Sequence, residues 1–333
     1  MKRAALALAL ALASALPLAA AGCNVDNHLE DEIGQPIPVA LGILACADAA
    51  DIDFYGYAVT ETGSVGDLAG SFSAPGFACA DFVQRSEPGG PVLVTPVPTT
   101  PDPSDPDVVE LGADGTFVRN YDAAAPLRIP AGITTAADGT AIVSDLAGGA
   151  YRFDATGAFQ GELAPGFVLE ETHDVLATSA GEVLVLDYPG APRVYRFALS
   201  AAGDGTYTLL GEFADEVRLD VPLTIAEDDD GTLLVGDAGG GLVRFDAGGT
   251  WAGDFTTAAL GPIASVVFLP GGNVVVLDLG EPGQEPPWPG GVLELSADGT
   301  VQRVLTPPVW TGGLDAIGLV ADVTLHGISS ATY

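Results

Sequence analysis

The 333-residue chain carries 45 Asp and Glu against 11 Lys and Arg, a formal net charge of -34. A surface so acidic repels phosphate backbones and anionic lipid headgroups, which argues against nucleic-acid partners. With 48% hydrophobic and 7% aromatic residues, the chain can still bury a core rich in Ala, Val, Leu and Gly.

At the N-terminus, Lys2 and Arg3 precede an apolar run, residues 4–18, too short for a stable bilayer-spanning helix. Ala19, Ala20, Ala21 and Gly22 supply the small residues a signal peptidase accepts, so residues 1–22 read as a signal peptide. Cys23, directly after a small-residue pair, resembles the lipobox of bacterial lipoproteins, where the Cys becomes the lipidated N-terminus. Those proteins usually have Leu three residues before the Cys. Ala20 stands there in this chain, which leaves ordinary cleavage near Ala21 open. The expectation is an exported cell-envelope lipoprotein, in the periplasm or on the cell surface, secreted if Cys23 is not lipidated. Its contact with the membrane would run through the lipid anchor alone.

Residues 23–50 form the tether and N-terminal segment, acidic over 24–35; residues 37–45 fit either a short strand or a packed helix. Cys46 and Cys79 make an even pair in an oxidising compartment and are expected to bridge, with two buried free thiols as the other reading.

From residue 51 to 333 the chain reads as one β-domain of repeated hairpin pairs. Residues 133–145 and 223–237 each hold an apolar stretch, an Asp-Gly turn and a second apolar stretch ending in Asp. Each continues through a Gly-rich loop into a second hairpin, residues 150–159 and 242–251. Residues 175–187 with 194–210, and 263–278 with 292–305, repeat the scheme. Residues 89–97 and 108–117 follow it with a Pro-rich loop inserted at 98–107. Asp-Gly and Gly-Gly supply the positive φ of two-residue hairpin turns, and a single such sheet cannot bury both faces. The C-terminal residues 314–330 read as a first hairpin, completed by residues 53–59 and 65–72 from the start of the domain. The expected fold is therefore all-β: a six-bladed, monomeric β-propeller closed by N- and C-terminal strands in one blade, or five-bladed if the ends do not pair.

The repeat resembles the NHL family of six-bladed propellers, within a broad superfamily that includes gluconolactonase-like enzymes. The family's strand-end Asp falls on Asp145, Asp187, Asp237 and Asp278, and its Phe-Asp element on Phe153-Asp154 and Phe245-Asp246. Arg152, Arg196 and Arg244 stand just before the aromatic, a little later than the family's Arg, and Pro96 and His326 replace the Asp elsewhere. The recurrence of that Asp points to a carboxylate bonding its own loop rather than to a metal ligand.

In such a fold, sites gather where the connections between blades and the loops between second and third strands open together. His173, Asp174, Asp315 and His326 fall there, and could hold a divalent cation such as calcium or act as acid and base. Trp288 and Trp310 sit on long Pro-bearing loops suited to recognition, or else cap the rim. The Asn-containing ligand set of the gluconolactonase-like relatives has no counterpart here. The first reading is a binding or scaffolding protein for an unidentified protein or small molecule. A divalent-metal-dependent hydrolase or lactonase is the alternative.

Overall fold

The repeated turns fold the chain into short strands that pair antiparallel, and a computed structural model shows six four-stranded sheets. It describes residues 37–48, 51–59, 64–75, 80–85, 92–96, 108–112, 116–121, 124–213, 218–269, 271–280, 291–305 and 317–325. For most strands before residue 92, and for the last strand, the description is of backbone pairing.

One sheet is composite. It joins β1 (Ile37–Asp48), β2 (Asp51–Val59) and β3 (Val65–Pro75) to β24 (Ile317–Leu325), in the order β24-β1-β2-β3. The other five each use four consecutive strands. These are β4 (Ala80–Arg85), β5 (Val92–Pro96), β6 (Val109–Leu111) and β7 (Phe117–Asn120); then β8 (Pro130–Thr135), β9 (Ala141–Asp145), β10 (Ala150–Phe153) and β11 (Phe159–Glu162). Next come β12 (Thr172–Ala177), β13 (Glu182–Asp187), β14 (Arg193–Leu199) and β15 (Tyr207–Glu212), then β16 (Pro222–Glu227), β17 (Leu233–Asp237), β18 (Leu242–Phe245) and β19 (Trp251–Asp254). The last are β20 (Ile263–Phe268), β21 (Val274–Asp278), β22 (Gly291–Leu295) and β23 (Val301–Leu305). The strands β4, β8, β12, β16 and β20 of the five consecutive sheets neighbour one another in that order and form the inner strands, and β24 lies beside both β4 and β20.

Three expectations change. Five blades are complete in consecutive strands, against the six counted from the sequence, and the composite sheet has longer strands, 9 to 12 residues. The C-terminus contributes one strand rather than a hairpin, because Ala321-Asp322 lacks a turn-forming Gly and the pairing with β1 runs straight through it. Residues 37–45 are strand, inside β1 and ahead of the boundary placed at 51. A fourth correction concerns the turns. At Asp138-Gly139, Gly139 N–H donates to Ala136 O and Ala136 N–H to Thr140 O, with Gly139 at φ 83°. That is a type I turn closed by a Gly bulge rather than a two-residue turn, and the pattern recurs at Gly157, Gly181, Gly231, Gly249, Gly272 and Gly299.

Burial grades outward. The second strands β9, β17 and β21 are buried at every position, while β7 and β19 are exposed at all but one half-buried position. The apolar clusters lie between sheets. Ile142 and Leu163 of one pack with Val175, Val185 and Phe197 of the next, and Phe153, Phe197 and Phe245 are fully buried. Each such ring removes about 2–3 kcal/mol worth of apolar surface from water.

The strand-end aspartates do what their recurrence implies. Asp145 accepts from Arg128 N (2.6 Å), Ile129 N (3.1 Å) and Ala147 N (2.8 Å), so it ties the incoming connection to the loop that leaves its own strand. Asp187 accepts from Glu170 N and Glu171 N, Asp237 from Asp220 N and Gly239 N, and Asp278 from Gly261 N and Gly280 N. Outside these ties, third-strand residues reach across the gap between sheets. Arg152 donates to Gly205 O and Arg196 to Gly248 O, each in the next sheet's outer turn. At the corresponding place on β22 the polarity reverses: the buried Glu294 carboxylate accepts from Val65 N at 3.1 Å, at the start of β3.

Candidate functional site

The inner strands carry a bulge at their second residue: the β12–β13 register skips between Thr172 and Asp174, as β16–β17 and β20–β21 skip at the matching step. His173 is the bulged residue. Its side chain is mostly buried, and its Nε2 lies 3.6 Å from Glu171 Oε1, beyond hydrogen-bond reach, with no other partner. Burial holds its pKa below the usual imidazole value, only partly offset by the Glu171 and Asp187 charges.

Asp174 follows and is drawn inward. Oδ1 accepts from Val175 N at 2.7 Å and Oδ2 from Ile225 N of β16 at 3.0 Å, with Thr224 donating as well. From the other side β8 presses close. A Cβ on Gly132 would lie 2.2 Å from Asp174 Oδ1 and 2.7 Å from its Cα, so only Gly fits. Desolvation pushes the Asp174 carboxyl up to about 7 against these hydrogen bonds. The carboxylate thus fastens β12 to β16, with β8 packed against it.

Of the residues expected to form a site, His173 and Asp174 are placed side by side on the inner ring. Asp315, His326, Trp288 and Trp310 lie outside the described residues, as do Cys23 and Cys79; Cys46 falls in β1. Among the described residues, no three of His, Cys, Asp and Glu group as a metal-ligand set.

Sequence reasoning missed a cleft of about 210 Å³ on the end of the ring where the blade connections open. Gly148 and Gly149 of the β9–β10 loop, Tyr151 and Glu162 of β10 and β11, and Phe167 and Val168 of the connection to β12 line it. Tyr151 and Glu162 are direct partners across the pair β10–β11. Phe167 is held edge-on by Tyr195 and Phe197, with centroids at 5.0 and 5.5 Å, so the wall it forms is fixed. Val168 is 73% exposed at the mouth. Gly149, at φ 116°, lets the Tyr151 ring pack against the chain, because a Cβ there would meet the Tyr151 hydroxyl at 2.7 Å. No motif marks these residues; the signal available was a mismatch between repeats, Gly149 standing where the next repeat has Arg193.

Compared with solved structures, the chain is similar to a streptogramin B lyase, with a TM-score of 0.50 and 13% identity over 82% of this chain and 84% of that one. It is likewise similar to the WD40 β-propeller domain of Doa1, with a TM-score of 0.51 and 14% identity over 80% and 82%. The fold is a β-propeller. At these identities the likeness concerns the arrangement of the strands and carries no residue of a site across. No protein-family model matches the sequence, and no curated protein matches it.

Proposed function

We propose that this propeller is a binding protein of the cell envelope that uses the connection-bearing end of its ring to hold a protein partner. The observation that carries the reading is the cleft between the β8–β11 and β12–β15 sheets. It is lined by the exposed apolar side chain of Val168 together with Phe167, Tyr151 and Glu162. Its 210 Å³ falls below the ~300–1,000 Å³ of pockets that enclose a free small molecule, which favours one side chain of a larger partner. On the inner ring, by contrast, the Asp174 carboxylate is already engaged by the protein's own backbone.

The test is retention of short random peptides, pooled by net charge, on the immobilised full-length chain at physiological salt. Basic pools should be held, acidic ones not, and Val168→Asn should cut retention several-fold without altering the charge. Retention that ignores both peptide charge and V168N would sink the reading.

The setting follows from Lys2, Arg3, the apolar run 4–18 and Cys23. The full chain expressed in a bacterial host should take up radiolabelled palmitate, and its Cys23→Ala variant should not. Equal labelling of both would remove Cys23 as the anchor. The composite sheet serves in this reading as the sixth blade, supported by the contacts of β24 with both β20 and β4 and by the Glu294–Val65 bond.

A further inference from the structure

The repeats of this chain carry nearly the same local arrangement twice, once with a cation and once without. In the β12–β15 sheet, Tyr195 pairs across the strands with Glu212, and Arg193, two residues before the Tyr, brings its Nε to 3.9 Å from the Glu212 carboxylate. In the β8–β11 sheet, Tyr151 pairs with Glu162 in the same register. The residue two before that Tyr is Gly149, which has no side chain and sits at positive φ. Among the described residues the Glu162 carboxylate has no hydrogen bond or ion pair; only its backbone oxygen is used, accepting from Arg152. Arg128 stands near enough to be felt by Tyr151 and makes no ion pair with Glu162. Gly149 lets the Tyr151 ring lie against the chain there, and Gly149, Tyr151 and Glu162 all line the cleft.

We propose that the cleft is an arginine-side-chain subsite, filled from a partner protein by the cation that this sheet's own chain lacks. The inference rests on the binding reading above and names its chemistry. A guanidinium seated against Glu162 would take the side of the carboxylate that Arg193 takes at Glu212, and a planar fork from a free partner could close to hydrogen-bond distance there. The aliphatic stem would cross the face formed by Phe167, Val168 and Ala164, and the aromatic rings of Phe167 and Tyr151 attract a cation placed over them. The chain's net charge of -34 brings basic partners toward the surface, but it does so everywhere; Glu162 between two aromatic walls is what localises the side chain.

The experiment titrates the full chain with a blocked tripeptide bearing a central Arg, and with the same peptide bearing citrulline, which keeps the shape and loses the charge. The Arg peptide should bind at least tenfold more tightly. Glu162→Gln should remove that preference, and Phe167→Ala should weaken binding several-fold. Asp254→Asn, which neutralises an exposed carboxylate at the matching place on β19, should leave it within about twofold. Glu162 is exposed, so folding of E162Q is not at stake and is checked by an unchanged melt. Equal binding of the Arg and citrulline peptides, or equal losses in E162Q and D254N, would overturn the subsite. In that event, V168N-sensitive retention of basic pools would leave the binding reading standing, whereas failure of both experiments would remove both.

Discussion

Deleting residues 317–333 is expected to abolish cooperative unfolding, whereas deleting 326–333 leaves the melt unchanged. The shorter deletion keeps β24 whole; the longer one removes it. β24 pairs with β1 from Ile37↔Leu325 to Ala45↔Ile317 and touches β4 on one side and β20 on the other. Without it, β1 gains an unpaired edge toward the centre of the ring, and the inner faces of two neighbouring sheets lose their cover. Native proteins exceed their unfolded states by only ~5–15 kcal/mol, so losing a whole strand with its pairing to β1 is expected to remove cooperative folding rather than lower it slightly. Circular dichroism and calorimetry on the two truncations decide it. A 317–333 deletion that melts cooperatively at the parent's temperature would show that the composite sheet does not close the ring.

The second large effect is on the pH dependence of stability. Asp174 has its pKa raised from 3.8 to about 7, chiefly by desolvation, so protonation favours the folded state. Its contribution is complete below about pH 4 and is lost as the pH rises through about 7. The size is on the order of a few kcal/mol. Asp187 and Asp237 are raised by burial as well and act in the same direction. His173, lowered by burial, acts oppositely: its share is present above the ordinary imidazole value and lost as the pH falls through its depressed one. Subtraction separates them. Asp174→Asn puts an NH2 donor where one of the two oxygens accepts from Val175 N or Ile225 N, so it is destabilised by a constant amount, about 1–3 kcal/mol. The difference in stability between parent and D174N should shrink steadily from pH 4 to pH 8. A difference that stays flat across that window would mean that Asp174 does not titrate there.

Much of this architecture could be read from the chain because its signals are local. The Asp-Gly turns, the apolar second strands and the recurring Asp145, Asp187, Asp237 and Asp278 each act within a single sheet, and each appears in the structure where the repeats put it. The turn type was misjudged because Asp-Gly serves both a two-residue turn and a type I turn with a Gly bulge. The composite sheet was half legible. Its partners lie at opposite ends of the chain, and the straight run of β24 through Ala321-Asp322 depends on pairing with β1. The site was less legible still. Asp174 is expected from the sequence at the site-bearing end as a candidate ligand, but it lies buried against Gly132 and bonds Ile225 N, beside the bulge at His173. Phe167 and Val168 belong to a connection without periodicity, and Tyr151 and Glu162 become neighbours of that connection only when two sheets are set side by side.

The strand-end aspartates also separate the frame of the molecule from its decoration. Each ties the connection entering its sheet to the end of the second strand, and Asp145, Asp237 and Asp278 also hold the start of the loop that follows, so the rest of that loop can vary without disturbing the tie. The chain already makes use of this. Residues 146–149 and 238–241 join their strands by tight Gly-rich links, whereas the whole span 279–290 separates Asp278 from β22 in the sequence. Sequence drift in those spans is therefore uncoupled from the register of the sheets. A foreign segment grafted between Asp278 and Gly291 should be carried like cargo on a fixed mount, and a lineage could change what this end of the ring recognises without having to solve the folding problem again.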